Sequence, residues 1–312
     1  MSVLLIGLIA ATILLGYLAG PVLVRLRPLA DHPGALVACW AGLLLGTVTA
    51  TAALTSMALL VPPTPGHGLL EWLHDCLPHH SPVAFTLGGL TSLALLGACG
   101  ARLAQGLPRL WRAVRRRREH RSMLHLVARE DRRNADVLLL DHPLPVAYCL
   151  PSRWRPIVVS TGAQTRLTGL QLQAVLAHER AHLRQRHHAL LLFLDLAHTL
   201  LPWLPTVRLA KATLPVLLEM SADDAAARRW GRHTLAGALR QVASTPGLAG
   251  ALAAAGTGEG LLSRRLTRLE APTSAVTPHR ARRAAAWIVA AGTAAIPVIT
   301  AAATLTSLAG VC

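Results

Sequence analysis

The chain has 312 residues, of which 53% are hydrophobic, and a mean hydropathy of +0.44. This composition is too hydrophobic for an ordinary water-soluble enzyme, and the length leaves room for one or two domains. The net charge of +16 comes from 31 Lys and Arg, of which only Lys211 is lysine. A chain with only two Tyr and two Phe is not expected to stack nucleic-acid bases. We therefore expect no direct nucleic-acid binding, and a basic surface that faces anionic lipid headgroups.

Four long apolar runs indicate membrane spans. They lie at residues 3–24, 35–61, 82–104 and 284–312. Each has about the length that a helix needs to cross a bilayer. Arginine clusters follow the first and third runs and precede the fourth, and such clusters collect on the cytoplasmic side. We predict a multi-pass cell-membrane protein with three spans in residues 1–104, both termini outside, and residues 105–283 folded as a cytoplasmic domain.

Three strand-like runs separated by Pro-rich turns open this domain. They are Asp136–Leu140, Val146–Leu150 and Arg155–Ser160. Their short length and composition predict a small antiparallel sheet. An exposed edge strand can bind an extended peptide by strand addition, and Val146–Leu150 is the candidate for that role.

The next segment carries the pattern H-E-x-x-H within a helical pattern. His178 and His182 lie one turn apart on one helix face, so both imidazoles can reach one zinc ion, Zn²⁺. Glu179 lies beside them and could take a proton from the attacking water. Thr168 and Gln171 have the spacing of a capping box that opens this helix. A histidine-rich surface helix is the alternative interpretation.

Beyond His182 we expect the same helix to continue through His187 and His188. The apolar stretch Ala189–Leu204 has three interpretations: an interfacial helix, a core helix or a membrane-embedded hairpin, with the first two favoured. Further helices are predicted at Thr206–Trp230, Thr234–Ser244 and Leu261–Leu269.

Two histidines leave a catalytic zinc ion one protein ligand short. The candidates for the third ligand are Glu219, Asp195, His187, His188 and His198. On a continuous helix His187 and His188 would point away from the zinc-binding face. Glu219 lies on a separate helix, and Asp223 one turn later could accept a hydrogen bond from the outer nitrogen of a zinc-bound histidine.

The pattern H-E-x-x-H followed by E-x-x-x-D resembles the gluzincin peptidases. The segments Pro156–Gly162 and Gln173–Glu179 are similar to a peptidase domain shared by two groups. One contains the HtpX-like and CAAX prenyl proteases, the other the BlaR-type and MecR-type antirepressor membrane peptidases. The order of spans and zinc domain favours the second group, although its β-lactam receptors continue into an external penicillin-binding domain and this chain stops at Cys312. Direct covalent sensing of a β-lactam is therefore not expected.

This resemblance implies zinc ligation by His178, His182 and Glu219, with Glu179 as the catalytic base and Asp223 supporting a ligand. The expected fold is a mainly α membrane protein that has four transmembrane helices and a cytoplasmic α+β zincin-like metallopeptidase domain. The expected function is a membrane zinc metalloendopeptidase that cleaves a cytoplasmic transcriptional repressor, such as a winged-helix protein. The alternatives are a housekeeping quality-control protease and a non-catalytic signalling scaffold.

The sequence does not choose an oxyanion donor. His233 and Arg228 are both candidates. It also does not specify the substrate, the activating signal or the oligomeric state.

Overall fold

The computed structural model describes residues 2–25, 32–60, 97–98, 100–108, 128–150, 157–244 and 258–271, with isolated positions between 111 and 127 and between 291 and 299. The described part is predominantly helical with one small sheet. The chain divides into two compact units. Unit 1 comprises residues 1–110, 193–214 and 279–312, and unit 2 comprises residues 111–192 and 215–278.

Two apolar helical segments begin unit 1. They consist of α1 (Ser2–Ile13), a π-helical segment (Leu14–Ala19) and α2 (Gly20–Arg25), followed by α3 (Pro33–Leu60). Gly7–Arg25 and Pro33–Leu54 have mean hydropathies of 2.1 and 1.7, and each is long and apolar enough to cross a membrane. They coincide with the first two predicted spans. The predicted spans 82–104 and 284–312 lie mostly outside the described residues.

The sheet of unit 2 has four short strands. They are β1 (Arg129–Glu130), β2 (Val137–Leu140), β3 (Ala147–Cys149) and β4 (Ile157–Ser160). The strand order is β1-β2-β4-β3, with β2 and β4 parallel and the outer pairs antiparallel. The prediction of an antiparallel sheet is therefore wrong for the central pair. The chain passes from β2 to the far edge before β4 inserts between β2 and β3, and sequential strands are not always neighbours.

Two local contacts hold the segment that connects β2 and β3 close to the end of β4. The Ser160 hydroxyl accepts the Val146 N–H at 2.9 Å and donates to the Leu144 carbonyl at 2.7 Å. Gly162 allows the chain to approach closely, since a Cβ there would lie 2.1 Å from the Pro143 carbonyl oxygen. As a result, β3 lies at the sheet edge and has no strand on its outer side among the described residues.

The H-E-x-x-H segment lies on a helix packed against this sheet. After α4 (Thr161–Arg166) comes α5 (Gly169–Arg184), which opens with the predicted capping box. Gln171 N–H donates to the Thr168 hydroxyl at 3.3 Å, and Thr168 N–H donates to the Gln171 side-chain oxygen at 3.0 Å. Arg180 makes a bidentate ion pair with Asp136, with N···O distances of 2.7 and 2.8 Å, which connects α5 to the start of β2.

Two helices contribute residues to both units. They are α6 (His187–Leu200) and α7 (Pro205–Trp230), divided between residues 192 and 193 and between residues 214 and 215. With 14 residues, α6 is shorter than the roughly 20 that a span needs. Leu194 and Ala197 on α6 are buried. Residues 193–214 belong to the same unit as the two apolar helices, so this burial fits a core helix and a membrane-embedded hairpin equally.

Thr206, at the start of α7, packs against the π-helical segment within unit 1. Its hydroxyl donates to the Leu15 carbonyl at 2.7 Å and accepts the Gly20 N–H at 3.2 Å. A Cβ at Gly20 would lie 2.7 Å from the Thr206 Cα. Only glycine therefore permits this close packing between the first apolar helix and α7.

The last helices of unit 2 are α8 (Arg232–Ala243) and α9 (Gly258–Glu270), close to their predicted bounds. α5 packs against β3 and α8, and α8 packs against α9. Apolar side chains cover both faces of β4, because Ile157 and Val159 face α5 and α8 while Val158 packs with Leu124 and Leu138. This packing brings one face of α5 beside the edge strand.

Candidate metal centre

A helix break after the H-E-x-x-H motif shapes the site. α5 ends at Arg184, Arg186 adopts a left-handed φ of 52°, and α6 begins at His187. The prediction of one continuous helix through His188 is wrong. Because the chain reverses at Arg186, His187 turns back toward the motif, and its Nδ1 lies 2.8 Å from Nδ1 of His182.

Three donor side chains converge from two helices. α5 supplies His178 and His182, and α7 supplies Glu219. The two Nε2 atoms lie 3.0 Å apart, and each lies 3.4 Å from one oxygen of the Glu219 carboxylate. Tetrahedral zinc ligands at about 2.0–2.2 Å from the ion lie roughly 3.3–3.6 Å from one another. The two distances to Glu219 fall in this range, and the distance between the Nε2 atoms is slightly shorter. The donor types and spacings therefore fit one zinc ion.

Asp223 and Arg265 support these donors. Oδ1 of Asp223 lies 3.0 Å from Nδ1 of His178, which is within hydrogen-bond distance although the angle is poor. Arg265 on α9 donates to both oxygens of Asp223, at 2.7 and 2.8 Å, and its Nη1 lies 3.0 Å from Glu219. The arginine side chain is 13% exposed and that of Asp223 only 1% exposed. One buried guanidinium thus fixes two carboxylates of the site.

The surrounding charges set the protonation of the donors. Burial opposes a charged imidazole at His178, but the contacts with Asp223 and Glu219 outweigh it and raise its pKa to about 9. Burial and the neighbouring positive His178 lower the pKa of His182 to about 4. Burial alone would raise the pKa of Glu219, yet His178 and Arg265 lower it to about 2. The directions of these shifts favour a neutral His182 and an ionised Glu219, which are the forms that bind a metal ion.

Glu179 lies at the same site beside the edge strand. Burial is the main cause that raises the pKa of its carboxyl group, although the charge on His178 opposes the shift. The Cys149 thiol on β3 hydrogen-bonds to this carboxylate, and burial followed by the charge of Glu179 raises the thiol pKa to about 12. A carboxylate with a raised pKa in such a site is suited to accepting and returning a proton.

A cavity of about 480 Å³ opens onto these groups. β3 forms one wall through Ala147, Tyr148 and Cys149, and Arg265 also lines the cavity. The remaining wall is aliphatic and comes mainly from α8 and α9: Leu235, Ala238, Leu239, Val242, Leu261 and Leu262. An extended chain lying along β3 would therefore pass the donor cluster and could place an apolar side chain in the cavity.

The other sequence candidates lie elsewhere. In unit 1, Asp195 pairs with Lys211, and neither Asp195 nor His198 is part of a donor cluster among the described residues. His233 and Arg228 are exposed and do not line the cavity.

Arg265 was missed by the sequence analysis, although the sequence carries a signal for it. On α9 it occupies a position in the apolar stripe formed by Leu262, Leu266 and Leu269, and an arginine on such a face needs a buried anion.

Comparison with known proteins gives one family match. The model of Peptidase family M48 matches residues 112–213, which include the H-E-x-x-H motif but end before Glu219. No curated protein and no solved structure matches the chain significantly. The family match and the donor cluster together support a metallopeptidase of the zincin type.

Proposed function

We propose that the chain is an integral membrane zinc metalloendopeptidase that cleaves a cytoplasmic transcriptional repressor. The single observation that carries the hydrolase part is the convergence of His178, His182 and Glu219 beside Glu179, at a cavity bordered by an edge strand. A structural zinc site needs no carboxylate such as Glu179, and it has no use for a cavity that reaches the metal.

His178, His182 and Glu219 would hold the zinc ion, and Asp223 would orient His178. When bound, zinc supplies a Lewis acid that polarises the scissile carbonyl and acidifies water. Glu179 would accept the proton of the attacking water as the C–O bond forms, and would then deliver it to the amine nitrogen as the C–N bond breaks. Burial raises the pKa of Glu179, which favours its acceptance of the proton.

The edge strand β3 would bind the substrate backbone. Its inner side pairs with β4 through Ala147, Tyr148 and Cys149, so an added strand would pair on the outer side. Glu179 contacts Cys149 of this strand. A peptide paired with β3 would therefore have its backbone next to the catalytic base.

The membrane location and the topology belong to the proposal. Two N-terminal helices with the length and hydropathy of spans support membrane association. The arginine-rich segments support a cytoplasmic peptidase domain with both termini outside. Tags at residue 1 and in the 245–257 segment would test this, because only the first should be accessible to protease in intact cells.

The order of predicted spans and zinc domain, which resembles the antirepressor peptidases, favours a repressor as the substrate. The test is a survey of new protein N-termini in host cells that express wild type, Glu179→Ala or the control Gln173→Ala, all at equal levels. Gln173 lies on the same helix and does not line the cavity.

One new cut in a DNA-binding regulator, present in wild type and in Gln173→Ala but absent in Glu179→Ala, is the expected result. Cuts scattered over many membrane proteins would indicate a housekeeping protease instead. Identical sets of new N-termini in all three strains, with zinc still bound to Glu179→Ala, would contradict the hydrolase proposal and favour a non-catalytic scaffold.

A further inference from the structure

The contact between His182 and His187 continues into a partly buried polar network, in which His187 and Ser221 are buried and Gln185 is exposed. Nε2 of His187 lies 3.0 Å from the side-chain oxygen of Gln185, which also accepts the Ser221 hydroxyl at 2.7 Å. His187 is 2% exposed. Ser221 follows Glu219 on α7 by two residues, so the network joins the end of α5 to the helix that carries the third donor.

The chemistry of these groups fixes the direction of each hydrogen bond. The Gln185 carbonyl oxygen only accepts, so Nε2 of His187 carries the proton of that ring. A neutral imidazole has one N–H, which makes Nδ1 of His187 an acceptor. Nδ1 of His182, 2.8 Å away, is then the donor. His182 therefore keeps its lone pair on Nε2, the atom that faces His178 and Glu219.

We propose that His187 is a positioning residue that accepts the Nδ1–H of His182 and so fixes the tautomer and ring orientation of that metal ligand. This inference rests on the proposed zinc site. At His178, the carboxylate of Asp223 lies 3.0 Å from the outer nitrogen Nδ1, although the angle is poor. Each histidine ligand thus has its own buried acceptor, one charged and one neutral.

The alternative role of His187 as a ligand is not supported by the geometry. It contacts His182 through the nitrogen opposite the converging Nε2 atom, and its other nitrogen is directed to Gln185. It is also absent from the group of donors that lie within 4.8 Å of one another. Its effect on the metal therefore has to pass through the His182 ring.

Four variants of the full-length chain in detergent test the proposal: His187→Ala, His187→Asn, His187→Gln and the control His188→Ala, which changes the neighbouring histidine of the same helix. The asparagine oxygen lies close to the place of an imidazole Nδ1, whereas the glutamine side chain reaches the place of Nε2. Zinc affinity is measured by competition with a chelator, and the cobalt-substituted protein is examined by its visible absorption spectrum.

We expect His187→Ala to weaken zinc binding about 10–100-fold and to change the cobalt spectrum. Asparagine should restore most of the affinity, glutamine should not, and His188→Ala should match wild type. Zinc affinity and cobalt spectrum unchanged in His187→Ala, or equal behaviour of the asparagine and glutamine variants, would overturn the inference alone. Failure of the wild-type chain to bind zinc would overturn the proposed function as well.

Discussion

Replacement of Arg265 by alanine is the sharpest test of how the site is held together. Arg265 bridges Asp223 and Glu219 from α9, and these two carboxylates lie on one face of α7. The substitution removes three contacts of 2.7–3.0 Å and leaves the carboxylate of Asp223 in a place where it is only 1% exposed. His178 is then the one remaining partner of Asp223 among the contacts described for it.

The expected loss follows from the burial of this pair. Removing one partner of a buried ion pair costs about 3–5 kcal/mol, because the other charge stays buried without compensation. We expect a value near 3 kcal/mol, since His178 can still offer a proton to Asp223. Domains are commonly stable by about 5–15 kcal/mol, so the variant should unfold far more readily. The stability of Arg265→Lys should lie between those of wild type and Arg265→Ala, because an ammonium group cannot form two hydrogen bonds to Asp223 and also reach Glu219.

Thermal unfolding of the detergent-solubilised chain and zinc competition titrations provide the measurement. A loss of this size should lower Tm by roughly 10 °C, and the loosened Asp223 and Glu219 should weaken zinc binding about 10–100-fold. Arg264→Ala is the matched control, because Arg264 is the adjacent arginine on α9 and is exposed. If Arg265→Ala were as stable as Arg264→Ala and bound zinc as tightly, the buried bridge would not hold the site.

Three further outcomes are expected. Thr168→Ala should lower the free energy of unfolding by about 1 kcal/mol, measured by thermal unfolding, because the Gln171 N–H loses its acceptor. Zinc affinity should rise about tenfold per pH unit up to about pH 9. The reason is that zinc displaces the proton from His178, whose pKa is about 9 without metal. A zinc affinity that does not change between pH 6 and 9 would contradict this prediction. Val242→Phe should reduce the volume of the cavity at its aliphatic wall and shift cleavage of a peptide library toward smaller apolar side chains. An unchanged cleavage profile would show that the cavity does not determine which side chains the enzyme prefers.

The elements with local signals could be predicted from the sequence. The capping box of Thr168 and Gln171 opens α5 as expected, because both partners lie within one helical turn. The strands β2, β3 and β4 were predicted from short strand-like runs that Pro-rich turns separate. Their order was not, because pairing of β2 with β4 depends on contacts across 20 residues that no local pattern encodes.

The break between α5 and α6 could not be predicted for a related reason. The turn contains no glycine or proline, and Arg186 is a residue that rarely adopts a left-handed conformation. One bond that stabilises the turn is tertiary, namely the bond between Gln185 and Ser221, and no local pattern in the sequence encodes it. The position of Glu219 was likewise inferred from a resemblance, since the spacing from His182 alone does not indicate how α7 packs.

The difference between the two histidine supports has an electrostatic reason. In the proposed zinc-bound site, the two positive charges of the metal and that of Arg265 balance the three carboxylates of Glu179, Glu219 and Asp223. A carboxylate in the place of His187 would orient His182 equally well but would leave one negative charge uncompensated in a buried site. No second arginine lines the cavity in the described part of the chain. A neutral acceptor, itself held by the uncharged side chain of Gln185, supports the second ligand without disturbing that balance.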